Sequence, residues 1–425
     1  MTAEPSQTVP SGSDAKGLHV VLLNQPFHPD VAATAQMAKD LADHLVRSGH
    51  RVTAIASRSV YGKAGAVLPK RESIPVEGAV SPIEVRRVGV SLFGKKSIIA
   101  RAADFAFFYL LAAWSLLGVK KPDVVVGFTT PPFVHLLAIG ARWFKGAKAV
   151  HWLMDLYPDV AIECGVLSRR NPASGVFEFL SRTLLKRSDR IVVLGRCMRD
   201  RVIDKGVAPD MIEHIPVWAD HSNLAPVPHE ENPLRTQWNL APEQCCVMYS
   251  GNFGIAHEAQ TICRAMERLA DVPFIFVGAG KRRAEVEAFI ESHAVPNARY
   301  LDYVPRDQLR YSIGAGDIHL ISVRNGLEGL IVPSKLFGVM AAGRPAVYVG
   351  SPKSEIALII NETGCGACIE EGDDESLAEA IRRLATDPHE RARMGSAGRE
   401  ALAERFDTQR ACEDWRALLE RIARR

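Results

Sequence analysis

The chain lacks any apolar run as long as a bilayer is thick. Its most apolar stretch, Phe105–Val119, ends after 15 residues, where a spanning helix needs about 20. Charge bias is lacking too: 52 basic residues face 49 acidic ones, so nothing indicates bulk nucleic-acid binding. The eight cysteines include one C-x-x-C pair, Cys365 and Cys368, without the second pair that a structural zinc would need. Scattered cysteines of this kind suit a reducing cytosol. The first 17 residues, rich in Ser, Gly, Pro and Thr, carry no apolar signal-peptide core and read as a disordered leader. There is no Walker A loop, no H-E-x-x-H, no G-x-S-x-G elbow and no Asp-x-Asp for a divalent metal. Gly278-Ala279-Gly280 runs straight into Lys281-Arg282-Arg283, so a dinucleotide fingerprint fails at its third glycine.

What is present is an α/β pattern that occurs twice in a chain too long for one core. Leu18–Leu23 is a short apolar run, as in a strand buried on both faces. A helix follows with Met37, Leu41 and Leu45 on one face, stopped at Ser48-Gly49-His50, and Arg51–Ala56 returns as a strand. Val124–Gly127, Ala149–Leu153 and Ile191–Leu194 continue a parallel sheet. The pattern restarts with strand Cys246–Tyr249, helix Glu258–Leu269 and strand Phe274–Val277. Strands Ile318–Val323 and Ala346–Val349 flank helix Ser334–Ala342. This predicts a Rossmann-like domain over 18–218, a linker over 219–233, a second such domain over 234–400 and a bracing C-terminal helix over 401–425. Ser376–Arg425 is expected to be helical throughout. Two such sheets set a cleft at their strand C-termini. Phe105–Val119 reads either as a buried helix or as an interfacial helix, its basic flanks Arg101, Lys120 and Lys121 meeting anionic lipid.

Candidate chemistry gathers at that cleft. In Ser250–Gly254 two glycines, Gly251 and Gly254, flank Asn252 between a strand and a helix, where backbone N–H groups suit an anion. Pro333-Ser334 is good helix-start chemistry, and Lys335 opposes the helix dipole, a cost that a bound phosphate would offset. Arg324, Asn325 and Glu328 precede that helix, Glu328 as an acceptor for sugar hydroxyls. Asp155 ends a strand and is placed to orient or deprotonate an acceptor hydroxyl, while Thr129 and Thr130 shape the acceptor wall. His28, Asp30 and Thr34 occupy the first strand-to-helix loop, His28 as base or donor contact.

These residues resemble glycosyltransferase family four, of GT-B fold, from about His19 to Trp415. The likeness lies in QPFHPD (25–30), SGHRVTAIAS (48–57), PDVVVGFTTPP (122–132) and HWLMDLYPDV (151–160). It continues through YSGNFG (249–254), FVGAG (276–280), YVPRDQL (303–309), VPSKLFGVMAAGRP (332–345) and SEIALIINETGCG (354–366). The D-L-Y-P and V-P-S-K-L elements look like the branch that builds bacterial surface polysaccharide on lipid carriers. The resemblance implies a nucleoside-diphosphate sugar, UDP or GDP type, as substrate, with no further cofactor. Its diphosphate would lie against Gly251–Gly254 and the amides near Ser334, with Lys335 neutralising charge and the base near Tyr303, Val304 and Pro305. Retention of anomeric configuration, no metal, a polyprenyl-diphosphate-linked or other saccharide acceptor, and a cytoplasmic site peripheral to the inner membrane face are further implications. Many members carry two glutamates separated by seven residues; here Leu330 and Gly338 stand there. That departure keeps two other readings open, an inactive scaffold or partner protein and a sugar-nucleotide epimerase.

Overall fold

The computed structural model describes residues 17–60, 63–90 and 98–424; the expected leader lies outside them except for Gly17. The first half runs β1 (His19–Leu23), α1 (Ala33–Arg47), β2 (Arg51–Ser57), then β3 (Ser59–Val60) and β4 (Lys63–Val67). It continues with β5 (Arg71–Ile74), β6 (Ile83–Val88), α2 (Ile98–Leu117), β7 (Val124–Gly127), α3 (Leu136–Lys145) and β8 (Lys148–Trp152). Next come α4 (Asp159–Glu163), α5 (Pro172–Arg187), β9 (Arg190–Val193), α6 (Arg196–Asp204) and β10 (Ile212–His214). The second half holds α7 (Pro233–Gln237), β11 (Val247–Ser250), α8 (Gln260–Glu267), β12 (Phe274–Val277), α9 (Arg283–Ser292) and β13 (Ala298–Leu301). After α10 (Leu309–Ala315), β14 (Ile318–Ser322), α11 (Lys335–Ala341), β15 (Ala346–Val349), α12 (Glu355–Thr363) and β16 (Gly366–Ile369), three helices close the chain. They are α13 (Asp374–Thr386), α14 (Pro388–Ala401) and α15 (Thr408–Ala423).

Two doubly wound sheets result, the α/β class that the sequence predicts. The first orders its strands β10-β9-β8-β7-β1-β2-β6-β5, all parallel except the edge strand β5, which runs antiparallel to β6. The second is wholly parallel, β13-β12-β11-β14-β15-β16. Strands β1, β7, β12 and β15 are buried at every position, so they carry apolar residues without alternation. Alternation marks β6, whose Ile83 and Val85 are buried while Glu84 is exposed. Its shortness and charge hid it from the periodicity reading, as with the edge strand β10.

The structure refines three expectations. The linker expected over 219–233 is docked and its end is helical: Ala219 donates its N–H to the Phe406 carbonyl (3.2 Å), Asn232 is buried, and Pro233 begins α7 under the Asn232 cap. Ser376–Arg425 is not one helical run. It breaks at Asp387 and again at Asp407, and each aspartate caps the following helix, accepting from Glu390 N–H and Gln409 N–H. Nor is the apolar 105–119 helix buried on every side, as the buried-helix reading expects. α2 buries Phe108, Ala112 and Leu116 against the sheet and turns Leu110, Trp114 and Leu117 outward. The last helix, α15, packs on α1. Trp415, fully buried, lies 4.4 Å from the Trp152 ring at the end of β8, and Trp218 stacks on the same ring.

Candidate functional site

The C-terminal strand ends of the two sheets enclose a cavity of about 940 Å³, within the ordinary size range of ligand sites. Its second-half wall comes from Ser250, Gly251, Asn252, Tyr303, Val304, Ser334, Lys335 and Gly338; its first-half wall comes from Val31–Ala33, Gln36, Met37 and Asp40. The loop after β11 is shaped by close backbone approach. Gly251 has φ +118°, and its N–H bonds the Val277 carbonyl at 2.8 Å while Phe253 N–H bonds that of Ala279 at 2.7 Å. A Cβ on Gly278 would lie 2.3 Å from the Gly251 carbonyl oxygen, and one on Gly280 2.2 Å from that of Phe253. The Gly-Ala-Gly that fails as a dinucleotide fingerprint therefore serves to seat this loop.

Lys335 rises from the start of α11 into the same loop. Its Nζ donates to the Asn252 carbonyl at 3.0 Å and to His257 Nε2 at 3.3 Å, and it stands 5.0 Å from the Tyr249 ring centroid. His257 Nδ1–H donates to the Ser322 carbonyl, which fixes the tautomer and leaves Nε2 as the acceptor for Lys335. Burial pushes the Lys335 ammonium down to about 7, and burial with the neighbouring lysine charge pushes His257 down to about 3. A half-buried cation bonded only to neutral groups, the Asn252 carbonyl and His257, is short of an anion. His257 carried no signal in the sequence, because its partners lie 65 and 78 residues away. Ser334, expected as a cap, is itself in helical conformation and makes no capping bond, and α11 has only seven residues. Positive charge at this point thus comes from Lys335 more than from helix geometry.

The remaining candidates divide into two groups. Tyr303 and Val304 line the cavity, whereas Gly254 and Pro305 flank it and Arg324 binds the Ala256 carbonyl through its backbone N–H at 3.0 Å. On the first-half side, Thr129 Oγ1 accepts from Asp155 N–H at 3.3 Å, and Thr130 O accepts from Gln25 N–H at 2.8 Å. Asp30 is buried and accepts from Ala32 N–H at 3.1 Å; Thr34, in the first turn of α1, accepts from Asn24 Nδ2 through its carbonyl. None of these, nor His28, Asp155, Arg324 or Glu328, belongs to the walls of the large cavity. Instead Asp155 and Glu328 both lie at the seam between the halves, each bridged through its backbone to Ile331. Asp155 and Ile331 form an antiparallel bridge, Leu156 N–H bonds the Leu330 carbonyl at 2.9 Å, and Arg201 Nε–H bonds the Glu328 carbonyl at 3.1 Å. Leu330 is buried in this seam, so this position faces protein. Burial pushes the Asp155 carboxyl up to about 6. His28 is held below its ordinary value, first by burial and then by Lys39, and its Nδ1 is buried without a partner among the described residues. Glu355 reaches from the start of α12 across the seam to Arg196 Nε (3.0 Å) and Cys197 N–H (3.2 Å).

Comparison with known proteins agrees with this architecture. The model of the glycosyl transferase 4-like domain matches residues 33–218, and that of glycosyl transferases group 1 matches 230–401. The chain is 24% identical over 375 residues to the "Putative colanic acid biosynthesis glycosyl transferase WcaI" of Escherichia coli (strain K12), across 84% of this chain and 89% of that one. Among solved structures, sucrose-phosphate synthase from Thermosynechococcus elongatus superposes with a TM-score of 0.77 at 15% identity, over 95% of this chain and 99% of that one. Anabaena HepE in complex with UDP-glucose gives 0.70 at 14% identity, with 95% and 99% covered. With both halves matched in order on two facing parallel sheets, the chain belongs to the family-four glycosyltransferases of GT-B fold.

Proposed function

We propose that the protein transfers a sugar from a UDP- or GDP-type nucleoside-diphosphate sugar to a lipid-linked saccharide during assembly of a bacterial surface polysaccharide. The observation that carries the donor half is Lys335, a half-buried ammonium that lines a cavity of about 940 Å³ and is pointed at the Gly251–Gly254 loop. A diphosphate there would restore the lysine charge; the Gly251 and Phe253 N–H groups, bonded to Val277 and Ala279, serve to hold the loop in place. Positive charge supplied by a side chain is the basis for the metal-independent reading, and no group beyond the substrate is assigned as cofactor. The name of WcaI supports polysaccharide synthesis, and HepE, solved with UDP-glucose, supports the donor class. The second half would hold the donor and the first half the acceptor. Asp155, pushed up to about 6 yet mostly ionised at pH 7, is the group proposed to take or orient the acceptor proton, with Thr129 beside it. We assign retention of configuration from the family resemblance. The Leu330 and Gly338 departures make the inactive-scaffold reading the specific rival.

The test is transfer to a polyprenyl-diphosphate-linked disaccharide with a panel of UDP-, GDP- and ADP-sugars, with the product anomer assigned by NMR. One active UDP or GDP donor without added metal, giving the retained anomer, is the expected result. No transfer and no nucleotide binding across the panel would favour the scaffold.

A further inference from the structure

Three neighbouring helices of the first half, α2, α3 and α5, pack side by side on one face of its sheet. All three turn large apolar side chains to the outside: Leu110 and Trp114 on α2, Trp143 and Phe144 on α3, Val176 and Phe179 on α5. Phe144 is 82% exposed, Trp114 78% and Phe179 73%, a concentration that ordinary soluble surfaces avoid. Basic residues rim it. Arg187 stacks over the Trp143 ring at 5.2 Å, Lys145 closes the end of α2 by bonding the Leu117 and Val119 carbonyls, and Lys120, Lys121 and Arg142 are exposed nearby. α3 has no acidic residue, and Glu178 on α5 is neutralised by Arg182 and Lys205. Aromatic and aliphatic groups inside a cationic border match the headgroup region of an anionic bilayer.

From this face an aromatic path leads inward. Phe177, 37% exposed on α5, stacks on Phe133 with ring centroids 5.6 Å apart. Phe133 meets Tyr157 edge-on at 6.5 Å, and Tyr157 is two residues from Asp155. Phe133 holds φ +67°, a backbone state that a bulky side chain rarely adopts. Resting on the lipid-acceptor reading above, we infer that Phe177, Phe133 and Tyr157 form the binding track for the isoprenoid chain of a lipid diphosphate. The chain leaves the bilayer at the α2–α3–α5 face, and the track delivers its polar head to Asp155.

The experiment measures binding of inorganic diphosphate, geranyl diphosphate and farnesyl diphosphate to the full chain by calorimetry, beside UDP as a control. Affinity is expected to rise with chain length, farnesyl diphosphate binding at least about tenfold tighter than inorganic diphosphate, since each buried methylene adds to transfer from water. Phe177→Ala should remove most of that gain, Phe177→Leu should keep part of it, and both should leave UDP binding and melting temperature as in the wild type. Equal affinity for all three diphosphates, or a chain-length gain that survives Phe177→Ala, would overturn the track. The lipid-acceptor reading is separately overturned if a nucleotide sugar is transferred to water-soluble saccharides and never to a lipid-linked one.

Discussion

Lys335 and Asp155 are two ionisable groups that burial moves toward neutrality from opposite sides, and each makes a prediction in pH. Lys335 sits at about 7 without ligand; a diphosphate beside it favours the ammonium, so binding takes up a proton. UDP affinity is therefore expected to be greatest below pH 7 and to weaken above it, by up to about tenfold per pH unit. Calorimetry from pH 6 to 9 checks this, and a flat profile would speak against the lysine–phosphate contact. The same depressed value means the unfolded chain holds more protons than the fold above pH 7, so this group makes the unliganded protein more stable as pH rises. Asp155, raised to about 6, has the opposite sign: its stabilising share is present below the ordinary carboxylate range and is lost as pH rises through 6. Asp155→Asn should accordingly fold as well as the wild type at pH 7 while transfer falls by about 10²–10⁴-fold, with UDP binding intact. In the wild type the transfer rate should climb through pH 6, and a rate unchanged in the variant would end the proton-handling role. Both residues were legible from their places at strand and helix ends. His257 was not, because its role arises only when β14 and α11 bring Ser322 and Lys335 to it.

At the scale of elements, the fully buried strands were the readable part, since an apolar run bounded by turn residues has few other fates. Elements whose register comes from neighbours were not. β5 and β6 pair antiparallel at a sheet edge with charged faces, and β16 has only partly buried residues. α2 was read as apolar because its sequence contains two apolar stripes; only the fold shows that Phe108, Ala112 and Leu116 face the sheet while Leu110, Trp114 and Leu117 do not. Its companions on α3 and α5 are distant in sequence and gave no pattern. α15 is the clearest case of an element defined by its destination. Trp415 is fully buried against Trp152, and α15 packs on α1, which also carries Asp40, the acceptor for Trp218 Nε1 at 3.1 Å. Trp415→Ala is expected to cost about 3–5 kcal/mol, read as a lower urea midpoint. A loss under about 1 kcal/mol would mean that the terminal helix does not brace the first half.

For the whole molecule, the two halves share one apolar core that includes Val20 and Leu41 on one side, Leu336, Phe337 and Tyr348 on the other, and Trp415 from the end of the chain. Ion pairing of Arg196 with Glu355 and the Asp155–Ile331 bridge tie the halves along the seam. The large cavity therefore opens between two docked walls, with the loop after β11 and Lys335 on one and α1 on the other. Gly338 lines this cavity without a side chain, and Leu330 is buried in the seam, so neither position brings a carboxylate to the cavity. The most direct test of the donor site is the melting temperature of the wild type and of Lys335→Ala with UDP and GDP at millimolar concentration. The account predicts a rise of several degrees in the wild type with one of the two nucleotides, as saturation well above Kd gives about 2–3 kcal/mol, and a rise largely lost in Lys335→Ala. An unchanged wild-type melting temperature with both nucleotides, or an equal rise in the variant, would contradict it.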